Sequence, residues 1–292
     1  MIRLAHEPWL GLVTAFRRWA EDIATPTVPR THDRLARKVG HVTLLGAGPG
    51  SADLITLRGL RALQLADVIF YDRLADAALL SYAKPQVRRV PVGKAPGNHS
   101  IPQGQINQLL VAAAVSGQNV VRLKCGDPGV FGRGAEEAQA LTEADIPWDI
   151  IPGVTAASAA AASARSFLTE RGQTERVIFA TGHRRAGDVT DWSDCAAPGT
   201  TLACYMGVAG LAEMQIGLMA AGWPALCPVE VISKAQTADQ LVLRGVLAGL
   251  EAMCAGHMNL NPAILLIRWP MALTNQNSPP LAHHARPKAF SA

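Results

Sequence analysis

The feature that most constrains this chain is a repeated alternation, from His41 onward, of short apolar runs with helically spaced segments. The runs at 41–45, 68–71, 89–92, 119–123 and 148–151 have strand length, and 56–65, 103–116 and 133–144 between them have helical periodicity. Strands that alternate with helices in this way form a largely parallel sheet covered by helices. Pro152-Gly153 interrupts the pattern. A second series follows at 177–180, 201–205, 229–233, 241–244 and 263–267, with the clearest helices expected at 211–221 and 246–254. The expectation is an α/β fold of two α/β domains, 41–153 and 154–272, each of ordinary domain size.

The ends read differently. Trp9, Leu12, Val13, Phe16, Trp19 and Ile23 recur at helical spacing, so 1–40 is expected to hold an amphipathic helix and a linker. That helix suits docking on the chain's own body or on a partner subunit, ahead of a membrane-surface anchor or presequence. Residues 273–292 read as a loose tail. Residues 1–40 carry a charge balance of +3 and the tail +2, which leaves −1 on the body out of +4 for the whole chain. The basic character therefore belongs to the ends, which argues against a broad nucleic-acid-binding face on the body. No apolar stretch approaches the roughly 20 residues of a membrane span. Five scattered cysteines without a CxxC pair point to reduced thiols in a cytoplasm and away from a disulfide framework or zinc site.

Chemistry-bearing residues fall where the strands end. The first strand runs into Gly46-Ala47-Gly48-Pro49-Gly50-Ser51, a turn that lets backbone approach a ligand. Pro49 and Ser51 set it apart from the dinucleotide fingerprint. The second strand ends at Tyr71-Asp72-Arg73 and the third at Gly93-Lys94. Asp72 reads equally as a ribose ligand, a proton acceptor or a loop cap. The fourth strand enters a loop, 124–134, with four glycines, Pro128 and Asp127. Asp127 suits a ribose or amine ligand, or a cap for the turn itself. No Gly-Lys-Ser/Thr follows, so a phosphate-cradling P-loop is excluded. A nicotinamide-dependent oxidoreductase remains an alternative on the first loop and Asp72, but leaves the 125–134 loop unexplained.

Taken together, these segments resemble the tetrapyrrole methylases. The resemblance rests on VTLLGAGPGSADLITLRGLRALQLADVIFY at 42–71, Asp72-Arg73-Leu74, Gly93-Lys94 with His99-Ser100 and Pro102-Gln103, and VRLKCGDPGVFGRGAEE at 121–137. PGVTAA at 152–157, Thr181-Gly182-His183, Tyr205-Met206-Gly207 and Pro262-Ala263 extend it over about 41–270. It implies a non-Rossmann, homodimeric methyltransferase with S-adenosylmethionine between two α/β domains and no metal. The segments are most similar to the members that methylate uroporphyrinogen III twice to give precorrin-2, for sirohaem and cobalamin synthesis. A methylase for a later corrin-ring precursor, or a non-catalytic paralogue, is the alternative within the same fold.

By that resemblance, Asp72 is the proton acceptor and Lys94 a proton donor or carboxylate anchor. Pro49, Cys125, Gly126, Asp127, Val130, Thr155, Ala156, Met206 and Ala235 line the cofactor, several through backbone groups. Arg73, His99 and Arg133 supply cations for the substrate's carboxylates. The chain departs from the family pattern at Cys125, where a glycine is usual, at Glu170, where the family has histidine, at Ala235, and at Arg268-Trp269-Pro270-Met271 after the last strand.

Overall fold

The computed structural model describes residues 39–93, 101–182 and 191–274. The helix expected within 1–40 and nearly all of the tail lie outside them. Strands β1 (His41–Gly46), β2 (Val68–Tyr71), β3 (Arg88–Pro91), β4 (Asn119–Lys124) and β5 (Trp148–Ile151) form one sheet in the order β3-β2-β4-β1-β5. Every pairing in this sheet is parallel. The intervening helices are α1 (Leu57–Leu65), α2 (Gln103–Val115) and α3 (Gly134–Glu143). Thr56 starts α1, its Oγ1 accepting the Gly59 N–H at 3.1 Å.

Both faces of the sheet are buried, as parallel sheets require. Val42, Leu44, Phe70 and Val120 pack with Ile106, Leu110 and Leu141 from α2 and α3. The alternate residues Leu45, Ile69, Val121 and Leu123 pack on the other side with Leu63 and Leu79. The strand order also bears on function. A dinucleotide-binding sheet runs 3-2-1-4-5, with its first strand beside the second. Here β4 lies between β2 and β1, which removes the topological basis of the nicotinamide alternative. It also sets the loops after β1 and β4 side by side.

The second sheet contains β6 (Arg176–Thr181), β7 (Thr200–Tyr205), β8 (Pro228–Ser233), β9 (Leu241–Val246) and β10 (Ala263–Trp269), ordered β6-β7-β10-β8-β9. Only β6 and β7 pair in parallel; β7–β10, β10–β8 and β8–β9 are antiparallel. The five expected strands and the helices near 211–221 and 246–254 are present, and the difference from the expected alternation is the connection between β8 and β9, which holds no helix. The 234–240 connection is too short for a crossover, which takes at least about 10–12 residues, so β8 and β9 form a hairpin. Helices α4 (Ala156–Ser163), α5 (Leu211–Ala220) and α6 (Leu250–Cys254) cover this sheet. The last is shorter than expected, because β9 extends through Val246 and a 3-10 turn occupies Leu247–Gly249. The alanine-rich α4 lays Ala157, Ala160 and Ala161 against Ala203, Tyr205, Ile232 and Leu266. Among the described residues no helix is long and apolar enough to cross a membrane.

One polar cluster interrupts the second sheet. Glu230 sits directly across from Arg244 in the β8–β9 register. Its Oε1 accepts from Arg244 Nε at 3.0 Å, and its Oε2 from Arg268 Nη1 at 2.9 Å and Ser166 Oγ at 2.7 Å. Arg268 also donates to Ser166 Oγ and to the Phe167 carbonyl, so it latches the chain after α4 onto the sheet. Burial alone would raise the Glu230 pKa, but the Ser166 hydrogen bond and the Arg268 charge outweigh it and hold the carboxyl below its ordinary value. A depressed carboxylate pKa stabilises the fold above the unfolded value, about 4.3, and that contribution disappears as pH falls through the folded value. Urea unfolding should therefore show Glu230→Gln losing less stability than the parent chain on acidification below about pH 4.3. Equal losses in the two proteins would contradict this.

Candidate active site

Three glycines build the framework. Gly46, Gly126 and Gly153, at the carboxyl ends of β1, β4 and β5, cross so closely that side chains are excluded. A Cβ on Gly46 would meet the Gly153 nitrogen at 2.5 Å and the Gly126 carbonyl oxygen at 2.8 Å. The loops after β1 and β4 then pair with each other: Gly48 N donates to Gly126 O at 3.2 Å, and Gly126 N to Gly48 O at 3.0 Å. Asp127 ties this crossing together. Its Oδ1 accepts the Gly129 N–H at 2.8 Å and its Oδ2 the Gly153 N–H at 3.0 Å. The turn-capping alternative for Asp127 is thus realised in the structure, and its carboxylate shapes the loop.

The other candidates for cofactor binding converge on the same place. Pro49 is buried between Gly48 and Gly50, and Gly50 abuts the backbone of Ala235 and Gln236 beyond β8. Thr155 Oγ1 and the Tyr205 hydroxyl are 2.6 Å apart, and that hydroxyl also accepts the Ala157 N–H at 3.2 Å. Burial pushes the Tyr205 pKa up, so the phenol stays protonated. Val130, Ala156 and Ala235 pack against the cluster that contains Tyr205. Met206 follows Tyr205 in a left-handed conformation, φ 55°, and is 47% exposed. Phe131, Arg133, Lys234 and Gln236 share that conformation on neighbouring loops. Strained non-glycine backbone collects where function constrains it. Eight of the nine candidates thus lie on the loops that follow β1, β4, β5, β7 and β8, and Ala156 opens α4 directly after Thr155.

Cys125 occupies a position that tolerates it. The left-handed residue of its turn is Gly126, at φ 69°, and Cys125 is not among the positive-φ residues. Burial, with the nearby Asp72 charge, pushes its thiol pKa up to about 11. Such a thiol is neutral and a poor nucleophile near neutrality. Cys125→Gly should leave S-adenosylhomocysteine affinity within about twofold, and iodoacetamide should label the native chain much more slowly than a free thiol of pKa about 8.5. Rapid labelling at Cys125 would contradict the assignment.

Asp72 follows β2 directly, its N–H donating to the Leu123 carbonyl at 3.1 Å. Its Oδ1 lies 2.5 Å from Arg122 Nη2, and the carboxylate side chain is 30% exposed. Behind it lies a cluster that strand periodicity alone did not single out. Arg122 and Lys124 are two apart on β4 and so share a face. Arg122 Nε donates to Glu137 Oε1 at 2.9 Å and Lys124 Nζ to Glu137 Oε2 at 2.8 Å. Burial would lower the Arg122 pKa, but the charges of Asp72 and Glu137 raise it. For Lys124, burial together with the Arg122 charge prevails and lowers it. The available signal was two cations in an otherwise apolar strand, which cannot be buried without carboxylates.

The substrate-side candidates are less assembled. Arg73 is exposed beside Gly93. Arg133 forms a two-point exposed pair with Glu136, both contacts 2.7 Å. Lys94 and His99 lie outside the described residues. Glu170 is exposed and has no ion-pair partner among the described residues, its backbone pairing with Thr174 in a tight turn. Arg268, bonded to the Phe167 carbonyl, and the exposed acid Glu170 thus bear on one short segment, 167–170.

Comparisons with known proteins agree with this geometry. The family model described as tetrapyrrole (corrin/porphyrin) methylases matches residues 41–251. Siroheme synthase 1 of Yersinia enterocolitica is 48% identical over 232 residues, 79% of this chain and 49% of that protein. The chain thus spans about half the length of the siroheme synthases it matches. Uroporphyrinogen-III C-methyltransferase of Paracoccus denitrificans is 47% identical over 232 residues, covering 78% of this chain and 80% of that one. Among solved structures, uroporphyrin-III C-methyl transferase from Thermus thermophilus, complexed with S-adenosylhomocysteine, superposes with a TM-score of 0.67 at 33% identity, covering 78% of this chain and 92% of that one. A cobalt precorrin-4 methyltransferase does so with a TM-score of 0.68 at 28% identity, covering 84% and 98%. With its crossed-glycine framework and nearly the whole described body matched, this chain belongs to the tetrapyrrole methylases.

Proposed function

We propose that this chain catalyses S-adenosylmethionine-dependent C-methylation of uroporphyrinogen III to precorrin-2, by two successive methyl transfers that feed sirohaem or cobalamin synthesis. The observation that carries this reading is the placement of Asp72, a partly exposed carboxylate anchored by Arg122, beside the backbone-rich meeting point of the glycine loops. The donor set fits the cofactor. Val130, Ala156, Met206 and Ala235 offer apolar surface for an adenine and a thioether chain. Backbone groups at Cys125–Asp127, Thr155 and Pro49 suit its polar groups, since the Asp127 carboxylate is already occupied.

When bound, S-adenosylmethionine supplies a methyl group on a positively charged sulfur. The protein's task is then to hold a pyrrole carbon in line with that methyl and to receive a proton. A carbon–carbon bond forms as the sulfur–methyl bond breaks, the sulfonium becomes a neutral thioether, and the methylated ring loses a proton to Asp72. Lys94 donates a proton or anchors a carboxylate. Arg73, His99 and Arg133 bind substrate carboxylates. For Arg133 this means exchanging Glu136 for substrate, an inexpensive step because exposed ion pairs contribute only about 0–1 kcal/mol. We further propose a homodimer in the cytoplasm, which light scattering and cell fractionation test.

Protection from thermal unfolding by S-adenosylhomocysteine, and none by NAD, tests the cofactor assignment. Anaerobic transfer of labelled methyl to uroporphyrinogen III tests the reaction; label that stays with the cofactor overturns it. The likeness to a cobalt precorrin-4 methyltransferase supports one competing reading, a later corrin-ring precursor as substrate. Transfer to such a precursor, with none to uroporphyrinogen III, would select it.

A further inference from the structure

We propose that Glu137 is the positioning residue for Asp72 and acts through Arg122, an inference that rests on Asp72 as proton acceptor. Glu137 is fully buried in the first turn of α3, where the helix dipole favours its charge. Its two oxygens divide between Arg122 and Lys124, and Gln103 Nε2 adds a third donor at 3.2 Å from Oε1. Arg122 is in turn held on three sides. Nε is fixed by Glu137, while Nη1 faces the carbonyls of Leu123 at 3.2 Å and Phe70 at 3.5 Å. A planar guanidinium pinned at Nε and Nη1 has one direction left for Nη2, and that direction meets Asp72 Oδ1. Among the described residues Asp72 Oδ2 has no partner, so the same anchor that fixes one oxygen presents the other.

Stability does not call for this arrangement. A buried ion cluster is often no more stable than an apolar replacement of equal volume. Two cations and two carboxylates here balance without a net charge, at a point where the network touches the outside only through Asp72. The carboxylate that faces substrate is thus the exposed end of a rigid relay that begins inside α3.

The test is a double-mutant cycle read in steady-state methylation of uroporphyrinogen III. Glu137→Gln should lower kcat about 10- to 100-fold, the penalty of a small misplacement. KM and S-adenosylhomocysteine affinity should stay within about twofold, and in an Asp72→Asn background the same change should add no more than about twofold. An unchanged kcat, or losses that multiply, would overturn the positioning role. If Glu137→Gln does not fold, Glu137→Gln with Lys124→Met restores charge balance and should show the same kcat loss; wild-type turnover in that pair overturns the proposal. Wild-type turnover by Asp72→Asn alone overturns the proton-acceptor reading and the relay with it. A slow Asp72→Asn enzyme with additive Glu137→Gln overturns the relay alone.

Discussion

Asp72→Asn should reduce turnover on uroporphyrinogen III by about 10²- to 10⁴-fold, the loss expected when a positioned proton acceptor is removed. Asparagine keeps an oxygen that accepts the Arg122 hydrogen bond, so the end of β2 keeps its geometry while the carboxylate's basicity disappears. The side chain shares no hydrogen bond with the nine residues grouped around the glycine loops. S-adenosylhomocysteine affinity should therefore stay within about twofold of the parent value. Calorimetric titration and single-turnover kinetics separate the two quantities. Undiminished turnover removes Asp72 from the chemistry. A cofactor affinity that falls in step with turnover would instead place it in the cofactor site.

The second large effect is expected at Gly153. A Cβ there would overlap the Gly126 carbonyl oxygen and stand 2.9 Å from the Gly46 Cα, backbone on both sides with no flexible side chain to yield. Gly153 N–H is also one of the two donors that hold Asp127. Gly153→Ala must therefore push the segment after β5 away from the β1 and β4 loops or break the Asp127 bond. We expect a stability loss of about 1–3 kcal/mol from overpacking. With it should come at least a tenfold weakening of S-adenosylhomocysteine binding, about 1.4 kcal/mol. Gly104→Ala is the control: it lies in α2 with open space around it and should be neutral or stabilising by up to about 1 kcal/mol. Equal cofactor binding by Gly153→Ala and the parent would mean that the crossing of the loops does not shape the site.

The first sheet was legible because its three central strands are buried on both faces and read as largely apolar runs, and the glycine and proline turns beside them mark the edge strands. Val68–Tyr71 and Trp148–Ile151 match the expected limits residue for residue. Strand direction is not carried by such runs. Val229, Val231 and Ile232 look the same in a parallel or an antiparallel pair, and only the short 234–240 connection betrays the hairpin. The helix Ala156–Ser163 went unpredicted because nearly every residue is alanine, which has high helix propensity but no polar face to give a period.

At the site, the glycine loops announced themselves, since close backbone approach can be met in few other ways. The Cys125 substitution could be weighed only once Gly126 was seen to carry the left-handed turn. The partners of Asp72 stayed hidden because Arg122 lies 50 residues from it in sequence and Glu137 reaches Arg122 only through the packing of α3 on β4. Arg268 stands where the family pattern changes, yet its guanidinium is occupied by Glu230, Ser166 and Phe167. That departure is a latch on the segment leading to Glu170.

The central claim is the reaction itself. Its most direct test is an anaerobic incubation of the full chain with S-adenosylmethionine and enzymatically generated uroporphyrinogen III, with the tetrapyrrole products weighed by mass spectrometry. A gain of two methyl groups, matched by two equivalents of S-adenosylhomocysteine, is the predicted result. An unmodified tetrapyrrole from a chain that still binds S-adenosylhomocysteine would contradict it.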